Sequence, residues 1–174
     1  MNETTLKAAR RGDRQAQSDL LRSLQDPWFR LCYSLLGSVE SARDATQESA
    51  LRFLRALPNF RGDSQLRTWA MGIAINVARE MRRSSRPVDA QRLAATTKGA
   101  LAPDNQAEAS ERATILRETI EHLPDRQKEA VLLRYFEDLS VEETASAMQC
   151  AEGTVKATIH QALRSLRERM RQLR

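Results

Sequence analysis

Apolar residues along this chain return at spacings of three and four and nowhere alternate over any length, which restricts the fold to packed helices. Only six glycines and five prolines punctuate the 174 residues, and aromatic residues make up 5 % of them. The reading is an all-α chain: two small helical domains joined by a flexible linker, the second ending in a helix-turn-helix.

That last motif is the sharpest local signal. Ser140 and Glu143 stand at capping-box spacing, so a helix is expected to begin at Ser140. It carries Val141, Ala145 and Met148 on one face, pauses at Gln149 and Cys150, and restarts near Glu152. In the second helix Val155, Ile159, Leu163, Leu166, Met170 and Leu173 form one stripe for the core. The opposite face presents Thr154, Lys156, Thr158, His160, Gln161, Arg164 and Arg167, side chains able to meet phosphates and base edges. Ahead of the pair, Pro124 and Asp125 mark a helix start, and Val131, Leu132, Tyr135 and Phe136 are expected on its inner face, burying the back of the motif.

The N-terminal half reads as further helices. Leu6, Ala9, Ala16, Leu20, Leu21 and Leu24 suggest one, bent or interrupted near Gly12; Pro27 is expected to start another, lined by Trp28, Leu31, Cys32, Leu35 and Leu36 and closed by a left-handed cap at Gly37. A third runs from Val39 with Ala42, Ala45, Thr46, Ser49, Phe53, Leu54 and Leu57 inward, and Pro58 ends it. After the loop NFRGDS, a fourth places Leu66, Trp69, Ile73, Ala74, Val77 and Met81 inward and ends on the basic run Arg79, Arg82, Arg83 and Arg86. Few bulky apolar residues follow until the C-terminal half. The expected division is 1–88, a linker over 89–109, and 110–174.

Three blocks resemble one family in its order and at its spacing. DATQES (Asp44 to Ser49) is similar to D-L-V-Q-E-x-F. FRGDSQLRTWAMGIAINVAREMRR (Phe60 to Arg83) is similar to F-x-G-x-S-x-L-R-T-W-L-x-x-I-A-x-N-x-A-x-D-x-x-R. LPDRQKEAVLLRYFEDLSVEETA precedes the helix-turn-helix pair. The chain thus resembles an extracytoplasmic-function (ECF) sigma factor of bacterial RNA polymerase. The resemblance implies a transcription initiation factor that binds core polymerase, captures melted minus 10 DNA with its first domain and reads minus 35 duplex with its second. It assigns Asp44, Gln47 and Glu48 to the polymerase clamp. It assigns Phe60, Gly62, Ser64, Arg67, Asn76, Arg79 and Arg83 to the minus 10 element, and the outer face of the last helix to the minus 35 element. Core polymerase, promoter DNA and an anti-sigma factor are the implied partners. Gly72 stands where the family is commonly basic, at a helix cost of about 1 kcal/mol; Ala151 replaces a frequent serine cap, and Ala45 and Ala50 replace bulky apolar residues.

The formal net charge of +5 favours a polyanionic partner. The two cysteines, Cys32 and Cys150, have no metal-ligand or CxxC spacing and read as buried or turn thiols. His122 and His160 lack a nucleophile at a recognisable spacing, and no phosphate-binding loop is present, so neither an enzyme, a metal site nor a cofactor is expected. The first residues lack the apolar core of a signal peptide and no apolar run is long enough to span a membrane, which places the expected location in the cytoplasm. The competing reading is a stand-alone helix-turn-helix regulator, which has no need of the NFRGDSQLRTW block.

Overall fold

The computed structural model of the chain describes residues 3–85 and 115–172. The expected linker 89–109, Arg86 and Leu173 lie outside those residues. The described residues form helices and turns, with no strand among them.

Helix α1 (Glu3–Arg10) stops at Gly12, whose φ of 94° is open to glycine at no steric cost. Asp13 then caps α2 (Arg14–Leu36), its carboxylate accepting the Ala16 N–H at 2.8 Å. The break near Gly12 is therefore real, but the expected restart at Pro27 is not: α2 passes straight through it. An interior proline costs roughly 3 kcal/mol. Leu24, Trp28 and Leu31, on either side of it, are 2, 1 and 2 % exposed. Burying each such side chain contributes about 1.5–3 kcal/mol, so keeping one continuous stripe outweighs the lost backbone bond.

Gly37, at φ 72°, closes α2 by donating its N–H to Tyr33 O at 2.8 Å, and Ser38 caps α3 (Val39–Ala56). Pro58 falls within a single 3-10 turn, Leu57–Asn59, that carries the chain out of α3. After the NFRGDS loop comes α4 (Leu66–Ser85). Trp28 anchors the four-helix packing: its indole N–H donates to Ala70 O at 2.9 Å, and its ring meets Phe53 edge-on at 5.5 Å. That polar handle is what allows so large a side chain to be fully buried.

In the second half, residues 115–121 belong to α5, followed by α6 (Asp125–Val131), α7 (Val141–Met148) and α8 (Glu152–Gln172). Helix α6 does not continue with its expected face. It widens into a π turn, Leu132–Phe136, which rotates the following side chains out of register. Leu132 and Leu133 are buried, whereas Tyr135 and Phe136 are 51 and 43 % exposed instead of covering the motif. The capping box forms as expected: Ser140 Oγ accepts the Glu143 N–H at 3.0 Å, and the Glu143 carboxylate accepts the Ser140 N–H at 2.8 Å. Gln149, at φ 55°, turns the chain into α8, which buries Val155, Ala162 and Leu166 and half-buries Ile159 and Leu163. Met170, expected inward, is 38 % exposed.

Helix α4 is the hinge of the architecture because two of its faces are covered. Leu66, Ala74 and Val77 belong to the expected stripe and are buried, as is Ala70 beside it; Trp69, Ile73 and Met81 on the same stripe are half-buried. A second stripe of Thr68, Gly72, Ile75, Arg79 and Arg82, also at spacings of four and three, carries the contacts to the C-terminal half. Gly72 lies against α7, where an added Cβ would sit 3.2 Å from Ala147 O and 3.4 Å from Ala147 Cα. The glycine that weakens α4 as an isolated helix thus lets two backbones approach. The core is continuous across this contact, running from Leu20 and Trp28 through Met71 and Ile75 to Leu133, Met148 and Val155.

Candidate functional site

The outer face of α8 follows from its stripe. With Val155, Ala162 and Leu166 turned inward, Thr154, Lys156, His160, Gln161, Arg164 and Arg167 are exposed, and Thr158 is half-buried. Lys156 lies 3.5 Å from Glu152, and Arg164 donates to Glu168 at 3.0 Å. Exposed pairs one turn apart contribute only about 0.3–0.5 kcal/mol, so both cations can exchange these carboxylates for phosphates at little cost. Gln149 and Cys150 form the tight turn, and the Thr154 and Val155 N–H groups are taken up by Ala151 O, which fixes the angle at which α8 leaves α7.

A second basic surface lies on α4 and the loop before it. Asn76, Arg79 and Arg83 line one groove of about 440 Å³ together with Arg52, Trp69 and Gln149. Gly62, exposed and at φ 83°, and half-buried Ser64 lie in the approach loop. Phe60 is 7 % exposed: its ring stacks obliquely on Trp69 at 4.8 Å, and Trp69 in turn meets Phe53 at 5.3 Å. The aromatic expected to face a base is here part of a three-ring cluster under the loop.

The structure also pairs this surface with acids that the sequence reading did not single out. Arg79 grips Glu129 with a two-pronged contact, Nε to Oε1 at 3.0 Å and Nη2 to Oε2 at 2.7 Å, and Arg82 Nη2 adds a further bond at 2.7 Å. The Glu129 side chain is 1 % exposed. Arg67 donates to the Glu137 backbone and carboxylate, both at 2.7 Å. Burial pushes the Glu137 carboxyl above its usual range, although the Arg67 charge pulls the other way. Thr68 Oγ1 lies 3.2 Å from Glu143. Asn76 accepts from Arg79 at 3.2 Å, while Arg83 is exposed. The missed signal was the second stripe of α4, small and basic where a solvated face would be mixed.

The third patch is on α3. Asp44 and Gln47 are exposed, and Glu48 holds Arg52 at 2.7 Å; Ala42, Ala45, Thr46, Ser49 and Phe53 are buried on the opposite side. Arg52 also binds Glu80, and its hydrogen bond draws the Glu80 carboxyl below the usual range. Leu51, 50 % exposed, adds an apolar residue to the outer side of α3. Cys32 is enclosed, and desolvation raises its thiol to about 12, an inert core position.

Comparison with known proteins follows this layout. The family model described as Sigma-70 region 2 matches residues 20–87, and that described as Sigma-70, region 4 matches residues 113–166. The RNA polymerase sigma-H factor of Pseudomonas aeruginosa is 33 % identical over 92 % of this chain and 89 % of its own length. This chain belongs to the ECF sigma factors of bacterial RNA polymerase. The ECF sigma factor SigW of Bacillus subtilis is 28 % identical over 99 % of this chain and 98 % of its own. The sigma factor RpoE of Bartonella quintana, solved in complex with the anti-sigma factor NepR, shares the fold at a TM-score of 0.71 and 22 % identity, over 88 % of this chain and 96 % of that one. As an ECF sigma factor, the chain directs promoter-specific transcription initiation. No helix among the described residues is long and apolar enough to cross a membrane.

Proposed function

We propose that the sigma factor divides its work between 1–88, which binds core polymerase and the melted minus 10 strand, and 110–174, which reads the minus 35 duplex, with 89–109 as the connection. The observation that carries this reading is the outer face of α8, on which six of the seven expected DNA-facing side chains are exposed while Val155, Ala162 and Leu166 behind them are buried. Recognition helices put their N-terminal turns deepest in the major groove. Lys156 and His160 therefore read base edges, and Arg164 and Arg167 bind phosphates. On α4 and its loop, Gly62, Ser64, Arg67, Asn76, Arg79 and Arg83 hold the unpaired strand, and Phe60 supplies a stacking face once the loop moves off Trp69.

Asp44, Gln47 and Glu48 contact the polymerase clamp. Support comes from their position on the outer side of α3, opposite a fully buried face. The chain itself carries out no catalysis and works in the cytoplasm. An anti-sigma factor is its inhibitor, a reading supported by the solved RpoE complex with NepR. The clamp assignment is tested with the Asp44→Ala, Gln47→Ala double variant, measuring affinity for core polymerase beside thermal melting. Affinity is expected to fall at least about tenfold with the melting temperature unchanged; undiminished affinity in the folded variant contradicts the assignment.

A further inference from the structure

Two of the residues assigned to the minus 10 strand, Arg67 and Arg79, are held by acids of the C-terminal half. Arg79 forks onto Glu129, Arg67 is bound to Glu137, and Gly72 lies beneath the backbone of α7 at Ala147. The fork that an arginine offers to a carboxylate is the one it offers to a phosphate, so Glu129 holds the place a strand phosphate would take. Its side chain is 1 % exposed, and that of Arg79 only 17 %. The two other working faces are left open: Lys156, His160, Arg164 and Arg167 on α8, and Asp44 and Gln47 on α3, are all exposed.

We propose that the free chain is latched shut over its own minus 10 strand site, with Glu129 as an internal phosphate substitute on Arg79 and Arg82 and Gly72 as the seat for α7. This rests on the assignment of α4 to the minus 10 strand. Core polymerase and duplex minus 35 DNA can both engage the latched form. The strand cannot engage it in full, because Arg67 and Arg79 are already paired with Glu137 and Glu129, and Gln149 of the C-terminal half lines the groove. Opening exchanges Glu129 for a phosphate, an exchange of like bonds at Arg79, and also uncovers the apolar contact between α4 and the C-terminal half, so the open form stays the minor state until a partner with differential affinity for it shifts the population. Latching keeps an unbound sigma factor from sequestering single-stranded nucleic acid while leaving it ready for polymerase. The apparent affinity of the free chain for a strand is reduced by the fraction of molecules that are open.

Two substitutions attack the latch by independent routes. Glu129→Gln removes the charge that Arg79 and Arg82 hold. Gly72→Ala places a Cβ against the Ala147 backbone, changes no charge, and raises the helix propensity of α4, so its effect cannot be ascribed to weaker folding or to a more basic protein. Glu142→Gln, at an exposed position with no part in the contact, matches the charge change of Glu129→Gln as a control. The readouts are the radius of gyration from small-angle scattering and the binding of fluorescein-labelled oligo(dT) to the full-length chain at fixed salt. Glu129→Gln and Gly72→Ala are expected to expand the chain and to tighten oligo(dT) binding at least about threefold, with Glu142→Gln like the parent. If neither variant expands, the latch is overturned. If both expand and the strand binds no tighter, while Arg83→Ala still weakens it, the contact does not mask the site and the proposal falls. If the opened variants bind strand as well with Arg79→Ala and Arg83→Ala added as without, the minus 10 assignment fails and the latch, read by scattering, stands as a conformational contact only.

Discussion

Arg79 carries the clearest lesson at the scale of single residues. Its place at the end of a helix in a basic run was legible, but its partner was not, because Glu129 lies fifty positions away and only the docking of two helices brings them together. Phe60 is similar: the aromatic was identified, yet its burial against Trp69 depends on how the loop folds back. On α8, by contrast, most of the exposed face was readable, since a helix with one buried stripe fixes the direction of the other side chains; Thr158, half-buried, and Met170, exposed, are the departures. Lys156 and Arg167 stand about three turns apart on that face. Lys156→Ala is expected to change discrimination between promoter variants by roughly 1–3 kcal/mol, whereas Arg167→Ala should weaken all promoters about equally and lower the salt slope by about one. Quantitative footprinting of a small promoter set at several salt concentrations checks both. A uniform loss from Lys156→Ala, with altered base preference from Arg167→Ala, would mean that the helix docks by its other end.

Among elements, those with strong local signals formed as read. The capping box at Ser140 and Glu143, the left-handed cap at Gly37 and the break near Gly12 each follow from a few adjacent residues. Two elements departed: α2 continues through Pro27, where its buried stripe overrides the local preference, and α6 ends in a π turn that exposes Tyr135 and Phe136. If the stripe of α2 does hold that helix together against its proline, Pro27→Ala should raise stability by about 1–3 kcal/mol in a denaturant melt, because the backbone bond is restored with the packing intact. A destabilised variant would instead mean that the ring itself packs well enough to be needed. For α7, Ser140→Ala is expected to cost about 1 kcal/mol. The Glu143 carboxyl is held below its usual value of 4.5, first by the Ser140 backbone N–H. Its contribution is therefore present above that value and lost as pH falls through the depressed one. Thermal melts from neutral to strongly acidic pH should show the advantage of the parent over Glu143→Gln shrinking toward low pH; a constant difference contradicts the cap as its source.

At the scale of the whole molecule, the all-helical class and the order of the three sequence blocks were legible from the chain, and the matches to sigma regions 2 and 4 follow that order. What pattern reading could not supply was the relation between the halves. The second stripe of α4 looks, in isolation, like a polar helix face with a misplaced glycine; only against α7 do Thr68, Gly72 and Arg79 become one surface. The central claim is that this surface, together with α3 and α8, lets the chain direct polymerase to promoters. It is tested most directly by combining the full-length chain with core polymerase on genomic DNA and sequencing the 5′ ends of the transcripts. The account predicts start sites found only when the chain is present, preceded by shared elements near minus 10 and minus 35. The same start sites with and without the chain would contradict it.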